Sequence, residues 1–248
     1  MRLRSTADRG AAYNTREMKA HLLLPIVALC AIWTGVTGTL NAEEYRPLFN
    51  GRDLSGWEGN PLLWSVKNGA IRGETTLSAL ALSNTFLIWK GGMLRDFELK
   101  LKFRIHSGNS GIQYRSKVIG KWSVAGYQAE IEDTPGKVGF LYEERGRKYL
   151  ANVGERVEMQ ADGTRRVVDQ IAPKEEFVKK RYYKEKDWNE YLIVAHGNRL
   201  THYLNGFQTV ELTDNDAKRR SLAGVLALQI HAGLPMTVEF KDIFLRTH

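Results

Sequence analysis

Three short stretches of this 248-residue chain set side chains that bind polar groups and move protons at every second position. Gly108–Ser116 reads GNSGIQYRS, Gly126–Asp133 reads GYQAEIED, and Leu226–His231 reads LALQIH. In an extended chain, successive side chains point to opposite faces. Ile112 and Tyr114 therefore oppose Gln113 and Arg115, and Tyr127, Ala129 and Ile131 oppose Gln128, Glu130 and Glu132. In the third stretch Leu228 and Ile230 oppose Gln229 and His231. A merely solvated strand face carries Lys, Thr and Ser. This one carries amides, a guanidinium, carboxylates and an imidazole, which can hold a shaped polar ligand, transfer protons and stabilise developing charge. The pattern predicts that the three strands share one sheet, apolar side on a core and polar side lining a cleft.

A fourth strand, Gly139–Tyr142, runs into Glu143-Glu144-Arg145-Gly146-Arg147, which puts Tyr142, Glu144 and Arg147 at the rim of that cleft. Plainer readings stand beside these. Arg115 and Glu130 also suit a structural cross-strand ion pair, and His231 suits a histidine packed at a strand end. Tyr142, Trp122 and Trp188 fit either core or rim aromatics or a sugar-stacking platform. Glu130 and Glu132, two residues apart on a strand, would sit roughly 6.5–7 Å apart, a spacing compatible with a two-carboxylate glycosidase. Glu132, however, adjoins the turn Asp133-Thr134-Pro135-Gly136. The chain has no Gly-rich phosphate loop, His-Glu-x-x-His pair, Gly-x-Ser-x-Gly elbow or fixed-period repeat.

The elements that must position these groups read as short alternating strands. Trp64–Gly73 reads as two strands joined at Asn68-Gly69, a strong hairpin signal. Asp96–Ile105 (DFELKLKFRI) alternates most cleanly, with Phe97, Leu99, Leu101, Phe103 and Ile105 toward a core. Glu190–Leu212 forms a meander with turns at Gly197-Asn198 and Asn205-Gly206, and Val238, Phe240, Ile243 and Leu245 add core residues at the end. Residues 148–187 are the least regular, with a hairpin tip at Asp162-Gly163 and a break at Ala172-Pro173. Such an insert suits either a flap over the cleft or a surface elaboration. The expected fold is all-β, a two-sheet antiparallel jelly-roll sandwich, with residues 43–248 as a single domain.

Residues 1–42 read as an N-terminal extension and signal peptide: Lys19 and His21, an apolar run Leu22–Val36, then small and polar residues to Ala42. Met18 is an alternative start, and cleavage after Ala42 leaves Leu40 at the −3 position. The apolar run is shorter than the roughly 20 residues a membrane span needs, so membrane association is expected only through an uncleaved leader. Cys30, the single cysteine, falls in this run, leaving the remainder without disulfides or a thiolate metal site. The leader holds five basic and two acidic residues, so its removal lowers the net charge from +8 to +5. The one basic run, Lys179–Lys186, is broken by Glu185 and reads as a solvated connection, so no nucleic-acid partner is expected. An exported chain, periplasmic or extracellular, is the expectation.

Six segments in order, LFNGRDLSGW, DFELKLKFRI, the GNSGIQYRS and GYQAEIED pair, GFLYEERGR, KDWNEYLIVAHGN and GVLALQIHAGLPMTVEFKDIFLR, together resemble the 3-keto-disaccharide hydrolase domain family, from about Tyr45 to Leu245. The resemblance implies a concanavalin A-like lectin/glucanase jelly roll and hydrolase or lyase chemistry on sugars oxidised at carbon 3. The ketone acidifies the proton at carbon 2, so such a site needs a base, a stabiliser for the enolate oxygen and an acid for the leaving group. The candidates are His231 or Glu130 as base, Arg115 as enolate stabiliser and Glu144 as acid. Gln113, Gln128 and Gln229 are candidate sugar-hydroxyl binders, with Tyr142 and Arg147 as further substrate contacts. A divalent metal held by Glu130, Glu144 and His231 would act as a Lewis acid, but the spacing does not demand one. The alternative is a non-catalytic carbohydrate-binding or cell-envelope jelly-roll module.

Overall fold

The computed structural model describes residues 44–248; the leader, Met18, Cys30 and the cleavage position lie outside the described residues. The first strands are β1 (Arg46–Pro47), β2 (Trp57–Glu58), β3 (Trp64–Lys67), β4 (Ala70–Glu74), β5 (Thr85–Trp89) and β6 (Phe97–Ser107). The long hairpin β7 (Asn109–Gly120) and β8 (Ser123–Glu132) follows, then β9 (Leu141–Glu144), β10 (Lys148–Ala151), β11 (Glu155–Met159) and β12 (Arg165–Gln170). After a single helical turn and a half, α1 (Lys174–Lys179), come β13 (Asn189–His196), β14 (Arg199–Leu204), β15 (Phe207–Asp214), β16 (Val225–Ile230) and β17 (Thr237–Thr247).

These strands make two sheets. One has ten strands, in the order β12-β11-β15-β14-β13-β6-β17-β4-β3 with β1 added against β17; the other has seven, β10-β9-β8-β7-β16-β5-β2. The protein is the all-β sandwich that the alternation predicts. On β6 the five apolar positions are fully buried and the charged ones between them are half-exposed. They meet Ile112, Tyr114, Tyr127, Ala129 and Ile131 from β7 and β8 in one core, each such side chain contributing about 1.5–3 kcal/mol by burial. Asn68 and Gly69 (φ 51° and 73°) and Asn205 and Gly206 (φ 48° and 83°) are left-handed at both turn centres, the geometry tight hairpins select. Along β17, both Phe240 and Ile243 reach the core because the register slips between Lys241 and Phe244, at left-handed Asp242.

The insert departs from one expectation. Its β11–β12 hairpin, tipped at Asp162-Gly163, does not fold over the cleft; β11 pairs with β15 in parallel and widens the ten-stranded sheet. The helix α1 buries Phe177 against the rings of Tyr182 and Phe207. Among the described residues no helix is long and apolar enough to cross a membrane.

Candidate functional site

Register brings the three sequence stretches together. In the β7–β8 hairpin Gln113 stands opposite Gln128, Gly111 opposite Glu130 and Asn109 opposite Glu132, while β16 lies on the other side of β7. The face carrying Gln128 and Glu130 is the one turned away from the core. It forms a cleft of about 340 Å³ floored by Gln128, Glu130 and Gln229 and walled by Tyr142 and Glu144 on one side and His231 on the other.

A chain of hydrogen bonds fixes the floor. Ser116 Oγ donates to Gln113 Oε1 (2.7 Å), Gln113 Nε2 donates to Gln128 Oε1 (2.6 Å), and Gln128 Nε2 donates to Glu130 Oε2 (2.7 Å) and, more weakly, to Gln229 Oε1 (3.4 Å). Asn109 Nδ2 donates to the other oxygen of Glu130. Gln128 can lean over to Glu130 because the residue opposite Glu130 is Gly111: a Cβ there would lie 2.5 Å from Gln128 Cδ. Two polar atoms are left over. Gln229 Nε2 and Asn109 Oδ1 are buried without a partner, a costly arrangement unless a ligand completes them.

Glu130 is only 3% exposed. Burial pushes its carboxyl up to about 8 from an ordinary 4.5; the charges of Glu132 and Glu144 push the same way, and the two amide hydrogen bonds oppose them. At neutral pH it therefore carries a proton. Glu144 is buried at the cleft wall and accepts from Asn84 Nδ2 (3.2 and 3.3 Å), while Asn84 Oδ1 accepts from the Ala232 backbone N–H. His231, just past the end of β16, is exposed; its Nδ1 lies 2.7 Å from the carbonyl oxygen of Ala232. A carbonyl only accepts, so Nδ1 carries the hydrogen and Nε2 is the nitrogen free to take a proton.

Gln128, Gln229, Glu130, Glu144, Tyr142 and His231 thus converge. Three predicted residues do not. Arg115 should alternate with Gln113, but the register of β7 slips between Tyr114 and Lys117 and Arg115 is left-handed (φ 46°), so its side chain turns inward. It is 1% exposed and donates to the carbonyls of Arg95 (2.7 Å) and Gly197 (2.6 Å) and to Asp96 Oδ1 (2.8 Å), tying β7 to the other sheet. It makes no ion pair with Glu130 and cannot stabilise an enolate in the cleft. Arg147 is also drawn to the inner side, where Glu143 and Asp214 bind it at 2.7 Å each and Asp216 lies at 3.6 Å. Glu143 faces inward with Leu141 while Tyr142 and Glu144 face outward, which is why its arginine partner leaves the rim. Gln113 is wholly buried behind Gln128 and positions it instead of touching a ligand.

The other aromatic candidates also lie elsewhere. Trp188 is held between Arg104 and Lys241 on the outside of the ten-stranded sheet, and Trp122 lines a separate depression with Met93 and Val118. The sequence reading missed Asn84, Asn109 and Tyr149. Asn109 is two residues before Gly111 and four before Gln113, so extending that alternation finds it. Asn84 comes from a loop before β5 and Tyr149 from the irregular insert, where no periodicity points to them. Among the described residues, no three carboxylate, imidazole or thiol groups are gathered closely enough to hold a metal ion, so Glu130, Glu144 and His231 do not form the cradle considered above.

A family model, the 3-keto-alpha-glucoside-1,2-lyase-like domain, matches residues 44–246. The chain belongs to this family. It is the family that the sequence motifs resemble. Among solved structures, this chain is similar to a candidate glycosyl hydrolase from Parabacteroides distasonis (18% identity, TM-score 0.54, covering 83% of this chain and 100% of that one). It is also similar to the carbohydrate-binding module CBM66 from Bacillus subtilis (16%, TM-score 0.50, 77% and 96%). A protein of unknown function with a galectin-like fold, also from Bacillus subtilis, matches at 9% identity and TM-score 0.52, over 78% of this chain and 90% of that one. At these identities the likeness speaks for the fold alone, a jelly-roll sandwich. Comparison with curated proteins gives no match.

Proposed function

We propose that this protein is an exported enzyme that cleaves glycosidic bonds of 3-keto-sugars, 3-keto-disaccharides among them, by removing the proton next to the ketone. The observation that carries the reading is the pairing, in one cleft, of a free imidazole nitrogen at His231 with a buried, protonated carboxyl at Glu130. Family membership supports the choice of substrate class. His231 Nε2 takes the proton from carbon 2, and the electron pair moves onto the carbonyl oxygen at carbon 3. Gln229 lines the cleft, and a turn of its side chain lets the unpartnered Nε2 donate to that oxygen, the task Arg115 is too far away to perform. The enolate then reforms the ketone, the bond from carbon 1 to the glycosidic oxygen breaks, and Glu130 gives its proton to the departing oxygen. The product is a 1,2-unsaturated 3-ketone and a free alcohol. Water adding its oxygen at carbon 1 and a proton at carbon 2 converts the unsaturated ketone to the free 3-keto-sugar. Gln128, Asn109, Tyr142 and the Asn84–Glu144 pair hold sugar hydroxyls. This reading moves Glu130 from alternative base to acid, in place of Glu144, because burial keeps the Glu130 proton on.

One observation favours a second reading, a carbohydrate-binding module without chemistry: Tyr149 at the cleft margin is 59% exposed, as a sugar-stacking ring would be. The two readings part on one experiment. The purified protein is incubated with a 3-keto-disaccharide and with its unoxidised parent. Cleavage of the keto compound alone is expected, and binding without cleavage of either sugar would leave the second reading in its place.

A further inference from the structure

A second hollow, about 490 Å³, opens beyond the cleft and shares the walls Glu132, Phe140 and Tyr149 with it. Its far side is built by the insert, from Asn152, Gln170 and Lys174. In the seven-stranded sheet, β16 and β10 stand on opposite sides of β8, so His231 at the end of β16 and Tyr149 on β10 bracket the carboxyl of Glu130. If His231 is the base at carbon 2 and Glu130 protonates the glycosidic oxygen, the departing group must extend past Glu130, toward Tyr149 and the second hollow.

The chemistry of the hollow suits neutral sugar rings. Tyr149 stands between the two spaces, its ring 5.3 Å from those of both Phe140 and Tyr142, tilted to the first and edge-on to the second, so its orientation is set while most of it stays in water. Such a ring offers an apolar face and a polar tip to a sugar. Around it the charges offset one another: Lys137, Lys174 and Arg165, which is ion-paired to Glu155, stand against Glu132, Glu155 and Glu175, with Lys137 lying 3.6 Å from Glu132. That balance gives no preference for an anionic or cationic ligand and many hydrogen-bonding groups.

We infer that the hollow beyond Tyr149 is a subsite for the leaving group, taking the second and later sugar rings of an uncharged oligosaccharide whose oxidised end ring sits in the cleft. The assignment rests on the proposed reaction. It gives the insert a role: lengthening the site along the substrate, with no lid over it.

The test compares three substrates: methyl 3-keto-glucoside, a 3-keto-disaccharide, and a tetrasaccharide oxidised at carbon 3 of its non-reducing end ring. The enzyme should favour the tetrasaccharide over the methyl glycoside in kcat/KM. The exposed double variant Gln170→Ala/Lys174→Ala should lose roughly tenfold in kcat/KM on the tetrasaccharide, the scale of a lost hydrogen bond or two, and less than twofold on the methyl glycoside. Tyr149→Ala should lose more on the tetrasaccharide than on the methyl glycoside. A second arm needs no catalysis: an unoxidised glucotetraose should shift the backbone amide resonances of Asn152 and Val153 in the wild type and not in the double variant. Equal loss on all substrates, or no resonance shift, overturns the subsite. Failure to cleave any 3-keto-glycoside, with the shift present, refutes the reaction while leaving an oligosaccharide groove. No cleavage and no shift removes both.

Discussion

Replacing Glu130 by glutamine tests the buried proton at the centre of the site. The folded protein holds the Glu130 proton up to about pH 8, whereas a carboxyl with the ordinary value of 4.5 loses it far earlier. At about 1.4 kcal/mol for each pH unit between those values, the stability at stake is about 5 kcal/mol. The sign follows from which state binds the proton. Between pH 4.5 and 8 the folded form is protonated and the unfolded form is not, so this contribution is complete below about pH 4.5, declines as pH rises and is gone above about 8. Glutamine does not titrate. It also fits, because the unpartnered Asn109 Oδ1 can turn to accept from the new amide. Urea unfolding of both proteins at pH 4.5, 6, 7 and 8.5 should show a stability gap that moves in favour of Glu130→Gln by several kcal/mol across the series. The same substitution should lower turnover by about 10²–10⁴-fold, and the wild-type rate should fall along an alkaline limb near pH 8. A gap that stays constant with pH would mean that Glu130 is ionised in the fold, and the reasoning about the acid would be wrong.

The remaining predictions concern the groups around it. His231→Ala removes the base from an exposed position, so turnover should drop by about 10²–10⁴-fold while the unfolding midpoint moves by less than about 0.5 kcal/mol equivalent; a large stability loss would make His231 structural. Arg115→Met leaves two buried carbonyls without their donor and should cost about 3–5 kcal/mol with turnover per folded molecule retained, measured by chemical unfolding beside initial rates. Gly111→Ala forces Gln128 off Glu130 through the 2.5 Å approach; an activity loss of about tenfold or more with about 1–3 kcal/mol of destabilisation is expected, and unchanged kinetics would show that the amide chain does not position the carboxyl.

Period-two alternation made most of this molecule legible. It found the β6 core face, the hairpins at Asn68-Gly69 and Asn205-Gly206, and the shared outward face of Gln128, Glu130 and Gln229, because burying one face of a strand fixes its register. What escaped was local breakage of that period. One slipped residue after Tyr114 sent Arg115 to the opposite side of its sheet, and past the slip β7 runs on to Gly120 and β8 returns from Ser123, where the alternation no longer marks them. Arg147 is placed by three acidic groups, Glu143 on β9, Asp214 at the end of β15 and Asp216 just after it, and a single sequence does not reveal such long-range charge partners. Asn84 and Tyr149 reach the cleft from loop and edge positions for the same reason.

The central claim is that chemistry begins at the hydrogen on carbon 2 of an oxidised ring. Cleavage of a 3-keto-disaccharide in deuterium oxide, followed by nuclear magnetic resonance of the products, tests it most directly. The account predicts a product that either lacks hydrogen at carbon 2, as the unsaturated ketone, or carries deuterium there after water has added. Cleavage that leaves the original hydrogen in place on carbon 2 would contradict it.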